Sequence, residues 1–314
     1  MLFNSCNRGG VSRGSGDGEL NCPRGVASTP SGDIVVADTL NHRIHIFNMC
    51  AFFKDKFGKK GKGKKEFNQP TDVAVMTNGR IVVADSKNKR IQVFSEDYEF
   101  KYMFSTSHEP CYVAVDRNHN MVVSSTKRTV EIYRRQGALR HKFDLQNQGS
   151  PLLAPIAANP SKDEVVICDT SDGKIKIYGY TGNLLHSFDP HAASEGLASQ
   201  PCGLTINHLG QIIVVDNLNH TVNLYSETGA FIAAVANPSD SVGPVNACCV
   251  GPEGHLIITE YTLNGIHCVK AFRYRDCECH RQRPGSSKRS SRPPSPTKII
   301  TARPQSPSKT TQPN

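Results

Sequence analysis

No run of 18 apolar residues occurs in the 314-residue chain, and Met1–Gly10 lacks the apolar centre of a signal peptide. Neither a membrane span nor secretion is expected, and a cytoplasmic location follows. There is no CxxC pair. The eleven cysteines are odd in number and scattered through expected strands, which fits reduced thiols and argues against a disulfide framework. The sequon Asn219-His220-Thr221 then has no consequence, because glycosylation requires secretion. A helical repeat would need apolar residues three and four apart. Instead Ile34, Val35, Val36 and Ala37 run together and Ile44 and Ile46 alternate, with turn residues every few positions, which is strand chemistry.

What the chain does have is a repeat. Residues 37–47, ADTLNHRIHIF, return as ADSKNKRIQVF at 84–94 and VDNLNHTVNLY at 215–225, with weaker copies at 124–133, 168–178 and 259–272. Each follows a proline, an alternating apolar run, a Gly or Asn turn and a β-branched run. The prolines are Pro23, Pro70, Pro110, Pro155, Pro201 and Pro244, at intervals of 47, 40, 45, 46 and 43 residues. A period in the forties built of short strands marks a propeller. The expectation is an all-β fold, a six-bladed β-propeller with four antiparallel strands per blade over residues 22–275.

In blade one the inner strand is expected at Gly25–Ser28, the second at Ile34–Ala37, the third at Arg43–Phe47 and the outer one near Ala51–Phe57. Blade six has no obvious fourth strand. Residues 1–21 read as a Gly-rich lead-in unable to pack a core, with Leu2–Cys6 as a possible ring-closing strand. Strand alternation puts the turns after Asp38 and its equivalents, the loops before each proline and the lysine loop at 59–65 on one face, the expected binding surface.

The net charge of +9 is unevenly spread. Residues 1–275 carry 29 Lys and Arg against 26 Asp and Glu, and residues 276–314 carry 8 against 2. That basic Arg/Ser/Pro-rich tail has too few large apolar residues to fold and reads as disordered. Its two copies, RPPSPTK and RPQSPSK, offer Ser295 and Ser306 to a proline-directed kinase and PxxPxK to an SH3 groove. Within the repeats, seven lysines fall between Lys54 and Lys65 with only Asp55 opposing them. Such a run is often a solvated face, but on a near-neutral disc it attracts phosphate or an acidic protein.

The three strong copies, following openings such as FNQPTDVAV, resemble the NHL repeat family. The lead-in GSGDGELNCPRGVA and the ending CVKAFRYR are similar to the C-terminal propellers of tripartite-motif and RING-finger NHL proteins. The resemblance implies a non-catalytic propeller that recruits a target to a ubiquitin ligase whose zinc-binding, ubiquitin-transferring modules lie outside this segment. In that family the target is a protein or a single-stranded or hairpin RNA. RNA-binding relatives use basic and aromatic residues beside the prolines, where this chain supplies only Arg24 as a base and has Glu109 as a repelling acid. The main expectation is a protein target that is a ubiquitination substrate, and the competing one is RNA bound through a basic sector on blades one to three.

The candidate face comprises Arg24, Thr39, Asn41, His42, Lys59, Lys60, Lys62, Lys64, Lys65, Ser86, Lys87, Tyr112, Lys127, Arg128, Asn217 and Tyr261. The aspartates Asp38, Asp85, Asp169 and Asp216 begin tight turns, where an Asp accepts backbone amides two residues on, so they are read as structural. The inner strands, GVAS, DVAV, YVAV, IAAN, GLTI and ACCV, supply almost no converging ligands, and CxCH at Cys277, Cys279 and His280 lacks a second pair. No catalytic residue, metal or cofactor is expected.

Overall fold

The computed structural model describes residues 13–145, 154–190, 200–237, 242–273 except 253, 263, 264 and 266, and the pair 300–301. Leu2–Cys6, Cys277, Cys279, His280, Ser295 and Ser306 lie outside the described residues.

Six four-stranded antiparallel sheets follow one another. Blade one holds β1 (Pro23–Ser28), β2 (Ile34–Asp38), β3 (Arg43–Phe47) and β4 (Phe53–Phe57). A short parallel pair, β5 (Lys59–Lys60) and β6 (Glu66–Phe67), leads to blade two. That blade is β7 (Pro70–Val75), β8 (Ile81–Asp85), β9 (Arg90–Phe94) and β10 (Phe100–Ser105). Blade three is β11 (Pro110–Val115), β12 (Met121–Ser125), β13 (Thr129–Tyr133) and β14 (Leu139–Asp144). Blade four is β15 (Ile156–Ala158), β16 (Glu164–Asp169), β17 (Lys174–Gly179) and β18 (Leu184–Phe188). Blade five is β19 (Pro201–Ile206), β20 (Ile212–Asp216), β21 (Thr221–Tyr225) and β22 (Phe231–Ala236). In blade six, β23 (Val245–Val250), β24 (His255–Tyr261) and β25 (His267–Arg273) are joined by β26 (Ile300–Thr301), which pairs with Lys270 and Ala271. The sequence pattern had placed those two residues inside the tail.

The six inner strands stand side by side around a channel, and β23 returns to β1. Each inner strand is an edge of its sheet, so Pro23, Pro70, Pro110 and Pro201 can open one without forfeiting a ladder bond. The next pairing skips one residue of β7, β11 and β19 and two of β1. The second strands are buried on both faces: Ile34–Asp38 and Ile81–Asp85 are buried at every position. This explains their unbroken β-branched runs.

Apolar cores form between blades. Ile44, Ile46 and Phe57 of blade one pack with Val73, Ile81 and Phe94 of blade two, and the same layout recurs round the ring. The closing core joins Val26, Ile34 and Val36 to Ala247, Ile257 and Val269 of blade six. Fully burying such side chains stabilises by about 1.5–3 kcal/mol each. The same seam is stitched by Thr259 Oγ1, which donates to Arg24 O at 2.6 Å, and by Cys22 N–H, which donates to His267 Nδ1 at 2.7 Å.

Candidate functional site

On the face carrying the aspartate turns, β2 and β8 each end on a buried carboxylate. Asp38 Oδ1 accepts the Asn21 N–H at 2.6 Å, and its Oδ2 accepts Asn41 Nδ2 and Arg43 Nε, both at 2.8 Å. Asp85 repeats this with Asn68 at 2.7 Å, Asn88 at 2.9 Å and Arg90 at 2.7 Å. The expected amide two residues on is used by Asp169 (Ser171, 3.1 Å) and Asp216 (Leu218, 3.0 Å). In blades one and two a 3-10 turn follows instead, and the carboxylate reaches across to the pre-proline loop.

Each turn closes on a left-handed residue: His42 (φ 56°), Lys89 (φ 51°), Arg128 (φ 60°) and His220 (φ 52°). That conformation is uncommon outside glycine, and at His42 and Arg128 the side chain reaches the following blade. His42 Nδ1 accepts the Gln69 N–H at 3.0 Å, and Arg128 pairs with Asp169 at 3.2 Å. Burial lowers the His42 pKa, Lys60 lowers it further, and Asp85 and Asp38 oppose them.

The loops before the first two prolines share one construction. Arg43 donates to Ser15 O (2.6 Å), Gly16 O (3.1 Å) and Glu19 O (3.0 Å). Arg90 donates to Lys62 O (2.6 Å), Gly63 O (2.9 Å) and Glu66 O (2.9 Å). Glu19 and Glu66 each accept the amide three residues back at 2.8 Å. The Gly-rich passage is therefore a packed counterpart of the lysine loop, and Leu20 is fully buried in the closing core. The shared spacing of GSGDGELNCP and GKGKKEFNQP is the signal that could have revealed it.

This construction disperses the lysines. Lys54 pairs with Asp33 at 2.5 Å, Lys56 with Asp17 at 2.6 Å, Lys59 with Glu66 at 3.4 Å and Lys65 with Glu99 at 3.7 Å. Asp33 and Glu99 belong to turns on the opposite face, so Lys54 and Lys65 run over the outer rim. Lys60, Lys62 and Lys64 are exposed and, among the described residues, form no ion pair; Lys64 Nζ lies 5.4 Å from the Phe100 ring centre. Lys87 pairs with Glu109 at 2.8 Å. Lys127 is exposed, whereas Arg128 is buried in its ion pair. Thr39 and Ser86 are buried, Thr39 Oγ1 donating to Pro70 O at 2.8 Å. Asn41 Nδ2 also reaches Gly14 O at 2.8 Å, and Asn217 Oδ1 accepts the Val245 N–H at 3.1 Å.

Three sequence-selected residues do converge. Arg24, Tyr112 and Tyr261 join Thr71, Cys111 and Asn246 around a cavity of about 60 Å³ at the mouth of the channel. Burial opposes the Arg24 charge, but Tyr261, Cys22 and Tyr112 beside it outweigh that effect and its pKa is raised. Burial pushes the Cys111 thiol up to about 12, so it is neutral. Below lies a channel of about 210 Å³ walled by the inner strands. It contains Asp72, whose carboxyl burial raises to about 7 against the N–H groups of Val113 and Val73. Among the described residues no group of three His, Cys, Asp or Glu is placed to hold a metal ion.

The NHL repeat model matches residues 20–47 and 67–94, which hold the ends of the twin loops and the first three strands of blades one and two. Those two segments are NHL repeats. Protein brain tumor of Drosophila melanogaster is 32% identical over 175 residues, which is 55% of this chain and 13% of that protein. The fold is also similar to a streptogramin B lyase at TM-score 0.60, with 16% identity over 84% of this chain and 83% of that one. The virginiamycin B lyase of Staphylococcus aureus is similar at TM-score 0.58, with 14% identity over 80% of each chain. At such identities the likeness to the lyases is one of fold alone. The structure is a six-bladed β-propeller whose first two blades match the NHL repeat.

Proposed function

We propose that this NHL propeller recruits a protein target through the aspartate-turn face. The observation carrying this reading is the internal pairing of its basic residues. A nucleic-acid strand needs unpaired cations along a continuous path, but Arg128, Lys87, Lys59 and Lys65 already face Asp169, Glu109, Glu66 and Glu99. The resemblance of the lead-in and ending to tripartite-motif and RING-finger proteins supports reading the target as a ubiquitination substrate and the propeller as the recruiting end of a ligase. Ser295 and Ser306 remain candidates for a proline-directed kinase, and the motifs around them for an SH3 domain. The free state of all eight described cysteines supports a cytosolic setting. No described helix is long and apolar enough to cross a membrane.

A second reading, RNA binding, is favoured by Lys60, Lys62, Lys64 and Lys127, which are exposed and form no ion pair among the described residues. Capture of proteins from a cell extract, after nuclease treatment, separates the two. Proteins lost with Tyr261→Ala and Lys127→Glu, but kept with Thr77→Ala on the opposite face, support recruitment. If the two aspartate-turn-face substitutions change nothing, and a random single-stranded RNA pool binds selectively with steep salt dependence that Lys60, Lys62 and Lys64 to Ala removes, RNA is the ligand.

A further inference from the structure

Arg24 and Asn246 approach the hub cavity from neighbouring inner strands, β1 and β23, across the seam that closes the ring. Asn246 Nδ2 is buried without a hydrogen-bond partner among the described residues. Native proteins rarely leave such a group unsatisfied. Arg43, Arg90 and Arg128 each face a carboxylate, whereas no ion pair joins Arg24 to one among the described residues. Around them Thr71 has its hydroxyl committed to Pro110 O at 3.1 Å, and Cys111 is an uncharged thiol. The cavity is therefore walled by tyrosine rings and equipped with one cation and one amide donor, with no acid opposite them.

We propose that the hub cavity is a carboxylate-binding pocket that receives an Asp or Glu side chain, or a chain-terminal carboxylate, of a protein partner. A planar carboxylate matches the guanidinium fork and can take the amide hydrogen with its second oxygen. A single cation neutralises one carboxylate. A nucleic-acid strand would bring further phosphates to a flank where Glu109 stands and already holds Lys87. The proposal rests on the recruiting reading only for the source of the carboxylate.

The test follows the Arg24 Nε–Hε and Asn246 side-chain amide resonances of the ¹⁵N-labelled full chain. The probes are acetyl-Gly-Glu-Gly-amide, its Gln counterpart, acetyl-Gly-Gly-Gly with a free terminus, and oligouridylate. Both resonances are expected to shift saturably with the Glu peptide or with the free-terminus peptide, which tells the two sources apart, and not with the Gln peptide. Arg24→Gln should weaken binding by about tenfold or more. Asn246→Leu, which removes an unsatisfied buried amide, should fold normally and still bind less tightly. Equal response to the Glu and Gln peptides, response to oligouridylate alone, or no response overturns the pocket. Protein capture that survives Arg24→Gln while the peptides fail leaves recruitment standing without the pocket. A chain that binds the Glu peptide but captures no protein through this face keeps the pocket and loses the recruiting reading.

Discussion

Gly25 of β1 lies flush against Asp72 of β7: a Cβ on Gly25 would collide with Asp72 Oδ1 and with the Asp72 Cα. The inner strands of blades one and two meet here with no space for a methyl group, one residue along β1 from Arg24. Asp72 Oδ2 in turn accepts the Val113 N–H at 2.8 Å, so one buried carboxylate packs against blade one and bonds blade two to blade three at the channel.

Gly25→Ala should therefore part the first two inner strands. The obstacle includes backbone, which cannot rotate away, and overpacking of this kind costs about 1–3 kcal/mol. Urea unfolding should report that loss, and the Val113 amide should exchange faster.

Asp72 makes stability depend on pH. Its pKa rises from 3.8 to about 7 on burial, so between those values the folded protein holds a proton that the unfolded chain has lost. Unfolding then releases a proton, and this group's contribution falls as pH rises from about 4 to about 7, by about 1.4 kcal/mol per pH unit at most. Denaturation at several pH values should show wild type losing ground to Asp72→Asn across that window and no further change above it.

Arg90 holds the lysine loop from below through three carbonyls and Asp85. Arg90→Met leaves that buried carboxylate without its cation, a change that costs about 3–5 kcal/mol. Hydrogen exchange should show the Gly61 and Glu66 amides losing protection together, because both bonds, to Phe67 O and Gly63 O, belong to the loop that Arg90 holds.

Protonating His42 turns its Nδ1 from an acceptor into a donor and breaks the bond from Gln69. Burial and Lys60 lower its pKa below 6.5, so its contribution to stability is present above 6.5 and is lost as pH falls through the lower folded value. Lys60→Gln removes one of the two depressing causes. The His42 ring resonances should then titrate at a higher pH than in wild type, with the Gln69 amide shift following the same curve.

Much of this molecule was legible in one dimension. The regular prolines, the β-branched runs and the recurring Asp-containing turn determined six sheets, their strand order and the face on which the turns gather, because strand period and turn chemistry are local properties of the chain. ADTLNHRIHIF specified even the third strand of blade one to the residue. The role of the Gly-rich passage was less visible: it is built from backbone carbonyls, which carry no side-chain signature, wrapped around an arginine more than twenty residues away. The charge pattern was the least transferable. Seven lysines within twelve residues become a field only if they point one way, and the fold sends Lys54 and Lys65 to acids on the opposite face. Only the closed ring could bring Arg24, Tyr112, Tyr261 and Asn246 together, since they come from three blades and the first and last meet across the seam.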